Sequence, residues 1–367
     1  MRAPEFWSAN ARGRDAALSL RALLTPLSWA YAWATARRAQ AIVARHAPIP
    51  VVCVGNLTLG GAGKTPVARA IRARLGAHAH TLSRGYGGRI LGPLRVTPDM
   101  EAREVGDEPL LHAADGPAWI AHDRLAGALA AANAGAHAIV MDDGFQNPAL
   151  AKDVSLVVFD AGFGIGNGQV FPAGPLRERL ADGLKRANAV VLLHSARPPP
   201  LGAGVGGGGD QEELMRLRTS ATSHSILNAP SPYPPPKGGG APSWLDHFKK
   251  PILHARLEPI GETPNGKLVA FAGLARPEKF FDMLAALGAE VEEAAPFPDH
   301  HLYTEDDLAR LAQLAGEHGA RLITTEKDAA RLSPDWRAKI LVLPVAARFA
   351  DEAALDALLA PIAARMK

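Results

Sequence analysis

From residue 51 onward, apolar runs alternate with segments of helical spacing. Residues 51–54, 79–83, 119–121, 138–141 and 156–159 read as strands, and 51–54 and 138–141 are apolar at every position. Residues 67–75, 108–114 and 124–133 read as helices. Alternation of this kind predicts an α/β fold: a mainly parallel sheet with helices on both faces. Ligands of such sheets collect at the carboxyl ends of the strands. Beyond residue 250, strands are expected at 267–272, 321–324 and 340–343, with helices at 277–287 and 352–365. They predict a second, smaller α/β domain.

The alternation breaks between residues 197 and 242. Pro198-Pro199-Pro200, glycines 206–209, Pro234-Pro235-Pro236 and Gly238-Gly239-Gly240 fall there. Such a stretch buries too little apolar surface to offset the entropy of ordering it. It is expected to be a disordered linker, with a brief helix over 212–218. The predicted organisation is a basic, membrane-associating segment at 1–48, a nucleotide-binding core at 49–195, an insertion at 196–250 and the smaller domain at 251–367.

Residues 16–36 are largely apolar, with Leu18, Leu20, Leu23, Leu24 and Leu27 followed by Trp29, Tyr31 and Trp33. Trp and Tyr favour the membrane interface, and Arg37 and Arg38 suit anionic headgroups. A full span needs about twenty apolar residues. Arg21 and Pro26 argue against one, because a charge at the bilayer centre is costly and proline weakens a helix. The expected arrangement is a helix lying in the interface. The plain alternative is a helix packed on the protein's own core.

Charge and cysteine content narrow the class. The net charge of +3 over 367 residues is too small to imply nucleic acid. Its distribution is uneven: Arg2, Arg12, Arg14, Arg21, Arg37, Arg38 and Arg45 face only Glu5 and Asp15 in the first fifty residues. A basic leader favours an anionic surface. Cys53 is the single cysteine, so an intrachain disulfide and a cysteine-based structural metal site are excluded. No secretory signal peptide is expected.

The most informative chemistry follows the first strand. Thr58-Leu59-Gly60-Gly61-Ala62-Gly63-Lys64-Thr65 precedes Pro66 and a helix. Glycines allow the loop amides to converge on phosphate oxygens, and the helix N-terminus adds positive charge. Lys64 is suited to the terminal phosphates and the Thr65 hydroxyl to Mg²⁺. Thr58 stands where the usual pattern has its first glycine. The alternative is a glycine-rich turn with a chance Gly-Lys-Thr, but the strand–turn–helix context favours phosphate.

The strand at 138–141 runs into Asp142-Asp143-Gly144-Phe145-Gln146. A carboxylate at a strand end beside a phosphate loop can hold Mg²⁺, directly or through water. Without the loop, the same residues would read as an acidic turn. In Gly106-Asp107-Glu108-Pro109, Asp107 can either cap the next helix or accept a proton from a hydroxyl. Phe297-Pro298-Asp299-His300-His301 is a candidate loop site without the spaced partners of a zinc centre. Phe171 to Glu178 reads as a rigid turn ending in Arg177 and Glu178. Thr324-Thr325-Glu326-Lys327-Asp328 is weakly suggestive of a position near a nucleotide base.

Together these motifs resemble the tetraacyldisaccharide 4′-kinase family of lipid A biosynthesis. The resemblance rests on Gly55-Asn56-Leu57-Thr58 with the loop through Pro66, then Ser83-Arg84-Gly85-Tyr86, Gly106-Asp107-Glu108-Pro109 and Asp142-Asp143-Gly144-Phe145-Gln146. It continues in Pro172-Ala173-Gly174-Pro175-Leu176-Arg177-Glu178, Phe297-Pro298-Asp299-His300 and Thr324 to Asp328. They stand in family order over almost the whole chain except the insertion. The resemblance implies a P-loop kinase using ATP and Mg²⁺. Its acceptor would be the 4′-hydroxyl of a tetraacyldisaccharide 1-phosphate, and its product lipid IVA. It implies two α/β domains with the site between them. It also implies a membrane-associated helix on the cytoplasmic face of the bacterial inner membrane. It implies no nucleic acid and no obligate protein partner.

By the same resemblance Asp107 is the base, His300 supports it, Lys64 serves the phosphates, and Asp142 and Asp143 bind or organise Mg²⁺. Asn56, Arg84, Glu108, Gln146, Arg177 and Glu178 are supporting candidates. Asn147 replaces a His found in many relatives, so no role of that His carries over; Asn147 is left to bond phosphate or sugar. Two rivals remain: an ATPase switch that binds a protein partner, and a nucleotide-binding module without turnover.

Overall fold

The computed structural model describes residues 4–8, 15–195, 241–261 and 264–366. The expected brief helix at 212–218 and most of the expected insertion lie outside the described residues.

The larger of two sheets has nine strands. In chain order its first seven are β1 (Val51–Gly55), β2 (Ala79–Ser83), β3 (Leu94–Val96), β4 (Ala118–Ile120), β5 (Ala138–Asp142), β6 (Val154–Asp160) and β7 (Ala189–His194). The other two are β8 (Ile252–Pro259) and β13 (Val345–Phe349), giving the order β13-β8-β7-β6-β1-β5-β2-β4-β3. Only the edge pairs β13–β8 and β3–β4 are antiparallel. The central strands β1, β5 and β6 are buried at every position. Strands covered on both faces read as continuous apolar runs, which is why β1 and β5 were conspicuous. β1 lies between β5 and β6, so the loop after β1 opens at the carboxyl ends of three parallel strands.

The smaller sheet is β10-β9-β11-β12, all parallel, built from β9 (Lys267–Ala272), β10 (Glu290–Pro296), β11 (Arg321–Thr325) and β12 (Leu341–Leu343). The helices Glu278–Ala286 and Glu305–His318 bury Phe280, Met283, Leu284, Leu308 and Leu311 beside it.

One expected boundary is corrected. The second unit does not run from 251 to 367. β8 and β13 belong to the large sheet, and the Glu352–Arg365 helix buries Leu355, Leu359 and Ile362 in that sheet's core. The small sheet is therefore an insert between two strands of the large one. Within the last ten residues of the expected insertion a short turn is anchored on the large sheet: Leu245 is buried and the Trp244 ring lies 4.6 Å from that of Phe159.

Helix α1 (Asp15–Gln40) is docked through one face. Ser28 Oγ accepts from Ala173 N at 2.9 Å, and Tyr31 meets the Phe171 ring edge-on. Just before it, Trp7 Nε1 donates to Pro172 O at 3.0 Å. Leu18, Leu20, Leu23, Leu27, Trp29 and Trp33 stay exposed. Among the described residues no helix is long and apolar enough to cross a membrane.

Candidate active site

The loop between β1 and α2 (Lys64–Leu75) takes its shape from glycines and from a strap running beside it. Gly63 has φ +76°, and a side chain there would strike Leu193. Thr58 needs no such freedom. Residues 57–59 run alongside the strap: Leu59 N donates to Pro175 O at 2.7 Å and Arg177 N to Leu57 O at 2.8 Å. Thr58 forms a bridge with Leu176. The missing glycine is thus explained by an extended, paired segment.

Register places the acids. Asp142 ends β5 opposite Val54 on β1, beside the loop. Its Oδ2 accepts from Thr65 Oγ1 at 2.8 Å and lies 2.9 Å from His112 Nε2. Its Oδ1 is buried without a partner. Burial opposes ionisation of Asp142, but the His112 hydrogen bond and charge, Lys64 and Thr65 outweigh it and hold the carboxyl below its ordinary range. An acceptor oxygen buried without a donor, next to a hydroxyl and a second acid, suits a hard cation. Among the described residues no group of three or more His, Cys, Asp or Glu could hold a metal on its own. Mg²⁺ is commonly held by one or two carboxylates together with substrate phosphates.

Lys64 Nζ lies 3.4 Å from Asn56 Oδ1 and 3.5 Å from Asp143 Oδ2. Asp143 also meets Arg177 Nη1 at 3.3 Å, and Gln146 Nε2 donates to Asn56 O at 2.9 Å and to Glu178 Oε1 at 3.2 Å. So Asn56, Lys64, Asp143, Gln146, Arg177 and Glu178 form one network around the loop. Arg84 is not brought there: it is exposed and donates to His122 Nε2 at 3.1 Å. Asn147 is also committed elsewhere, since its Oδ1 accepts from Ala149 N and Leu150 N and fixes its own turn.

Asp107 opens the Asp107–Asp115 helix, which also carries His112, so a single helix links it to Asp142. Asp107 Oδ1 accepts from Glu108 N at 2.8 Å. Oδ2 meets His300 Nδ1 at 3.1 Å and Arg331 Nε at 2.8 Å. Burial opposes its charge, yet the His300 hydrogen bond and the nearby Lys327 and Arg331 cations prevail, leaving the carboxyl well below its ordinary range. Lys327 Nζ lies 3.1 Å from Glu108 Oε1 and 3.5 Å from His300 Nε2. Among the described residues, Asp143 and His300 are the only non-glycine residues with positive φ. Backbone strain of this kind tends to gather at functional sites.

Several contributors were not singled out. His112, Arg331 and Arg69 lie in helical or loop contexts without a motif. Arg69, on α2, pairs with Asp115 at 2.6 Å and with Glu326, at the start of the short helix after β11, at 3.0 Å. Glu326 and Lys327 belonged to a noted stretch, and Lys327 stands against Glu108 and His300. A groove of about 260 Å³, lined by Leu274, Ala275, Pro277, Phe297 and Asp299 among others, gives this space an apolar wall.

Residues 20–363 match the sequence model of a family described as tetraacyldisaccharide-1-P 4'-kinase. A relative from Hyphomonas neptunium named tetraacyldisaccharide 4'-kinase is 48% identical, over 99% of this chain and 98% of its own. One of the same name from Phenylobacterium zucineum is 49% identical over 96% and 97%. The LpxK of Aquifex aeolicus, solved in complex with ATP, superposes with a TM-score of 0.66 at 25% identity, covering 94% of this chain and 99% of that one. The chain belongs to the tetraacyldisaccharide 4'-kinase family.

Proposed function

We propose that this chain transfers the γ-phosphoryl group of ATP to the 4′-hydroxyl of tetraacyldisaccharide 1-phosphate, giving lipid IVA in lipid A biosynthesis. The observation that carries the reading is Asp142. It bonds Thr65 of the phosphate loop and His112 of the helix that begins with Asp107. Phosphate binding and proton removal are thereby tied to one framework.

In this reading the loop from Thr58 to Thr65 cradles the phosphates, with Lys64 turning from Asn56 and Asp143 toward them. Thr65, Asp142 and Asp143 would hold Mg²⁺. When bound, the ion would neutralise charge on the phosphate oxygens. Arg177 balances Asp143 and steadies the second acid. The acceptor proton goes to the Asp107–His300 pair. A carboxylate so depressed is a weak base alone, and the His300 ring nitrogen bonded to its Oδ2 shares the acceptor role. Arg331 and Lys327 keep Asp107 ionised throughout.

The enzyme would work at the cytoplasmic face of the inner membrane. The support is the exposed row of Leu and Trp on α1 with Arg37 and Arg38 at its end, together with an acceptor whose acyl chains favour the bilayer. ATP-dependent phosphorylation of the purified acceptor tests the proposal. Folded, ATP-binding protein that yields no product would overturn it.

A further inference from the structure

Arg276 lies outside the motifs of the site, on the loop between β9 and the Glu278–Ala286 helix. It reaches from the small sheet to the phosphate loop. Its Nη2 donates to Gly61 O at 3.0 Å and lies 2.7 Å from Asp160 Oδ2, at the end of β6. Lys279 pairs with the same Asp160 oxygen. Asp160 Oδ1 accepts from Gly162 N at 2.9 Å and Phe163 N at 3.1 Å, and the guanidinium sits over the Phe163 ring, 5.0 Å from its centroid. The arginine head is thus fixed from several sides.

We infer that Arg276 is a positioning residue that sets the shape of the phosphate cradle from the opposite sheet. The reason is the geometry of one peptide. A trans peptide is planar, so the Gly61 carbonyl and the Ala62 N–H point in opposite directions. Holding the carbonyl from outside the loop turns the Ala62 N–H inward, where a phosphate oxygen would sit. The loop needs such a hold. Gly60 has φ +101° and Gly63 φ +76°, and a glycine-rich loop loses much conformational freedom when it is fixed. Fixing it before nucleotide arrives removes that cost from binding. Because Arg276 comes from the small sheet, the cradle is complete only when the two sheets are together. Asp160 and Lys279 hold the guanidinium in place.

This inference rests on reading the loop as the ATP cradle, and the test separates the two. Steady-state rates are measured for wild type, R276A, R276K and D160N against ATP and against the lipid acceptor, alongside melting temperatures. A charge-assisted hydrogen bond supports a rise in the KM for ATP of roughly 10- to 100-fold in R276A. The KM for the acceptor should stay within about twofold. R276K should recover part of the loss, since an ammonium can donate to Gly61 O but lacks the fork. D160N should shift the KM for ATP in the same direction, by less. A folded R276A with an unchanged KM for ATP would overturn the inference, and so would equal rises in both KM values, which would mark a general closing contact. If R276A does not fold, R276K and D160N carry the same comparison. Wild type that ATP cannot saturate would instead remove the underlying reading.

Discussion

His300 Nδ1 lies 3.1 Å from Asp107 Oδ2, joining residues 193 positions apart, one in the turn after β10 of the small sheet and one at the start of the Asp107–Asp115 helix. Arg331, just after the Glu326–Ala329 helix that follows β11, meets the same oxygen. The two contacts that orient the carboxylate and lower its pKa therefore form only when the two units are assembled.

The first prediction concerns pH. The Asp107 pKa is lowered on folding from an ordinary value of 3.8. The unfolded chain then binds the proton more readily than the folded one, so stability falls as pH drops. The contribution is complete above the unfolded value and is lost as pH falls through the folded one. In urea unfolding, the stability gap between wild type and D107N should be flat above about pH 5 and shrink below about pH 4. A gap that stays constant down to about pH 3 would show that Asp107 is not held ionised by its partners.

His112 acts through Asp142. Both side chains are about 1% exposed, so the imidazole serves to aim the carboxylate rather than to meet substrate. H112A should cost about 1–3 kcal/mol of stability for the buried group left unpaired. It should also raise the Mg²⁺ concentration needed for half-maximal rate by roughly 10- to 100-fold. A magnesium titration of the kinase rate reads this directly. An unchanged requirement in folded H112A would detach His112 from the metal role.

Gly55 tests packing between β1 and the Asp-Asp turn. A Cβ there would stand 2.4 Å from Phe145 Cβ. β1 is buried and paired with β5 and β6, and the Phe145 side chain in the turn is itself buried. G55A should lose about 1–3 kcal/mol by overpacking, seen as a lower melting temperature, with weaker ATP binding. Wild-type stability in G55A would mean that the turn has room to move.

Some of this was legible in the sequence. β1 and β5 stood out because a strand buried on both faces is apolar at every step. Lys64, Thr65, Asp142 and Asp143 followed from where those strands end. β8 and β13 did not stand out. They lie at and beside the sheet edge, and the Pro/Gly-rich stretch before β8 hid its continuity with β7. His112 and Arg331 were invisible for a different reason. Their roles arise from contacts across 30 and 224 positions, and nothing local marks a helical His or an Arg after a short helix. Arg84 shows the reverse case: it sits in a motif but turns toward His122.

The exposed row on α1 carries the membrane proposal. Leu23, Leu27 and Trp29 face away from the protein's own core. Replacing all three with Asp should abolish sedimentation with anionic vesicles while shifting the melting temperature by less than about 3 °C. A large loss of stability with vesicle binding retained would return α1 to the role of a core-packing helix.

The most direct measurement is ATP-dependent phosphorylation of purified tetraacyldisaccharide 1-phosphate in detergent micelles, comparing wild type with D107A and H300A. The account predicts lipid IVA from wild type and a fall in kcat of roughly 100- to 10,000-fold in D107A. H300A should fall in the same direction, with the KM for ATP nearly unchanged in both. Equal turnover by wild type and both variants would remove the Asp107–His300 pair from proton transfer. Absence of product from folded, ATP-binding wild type would contradict the lipid-kinase account itself.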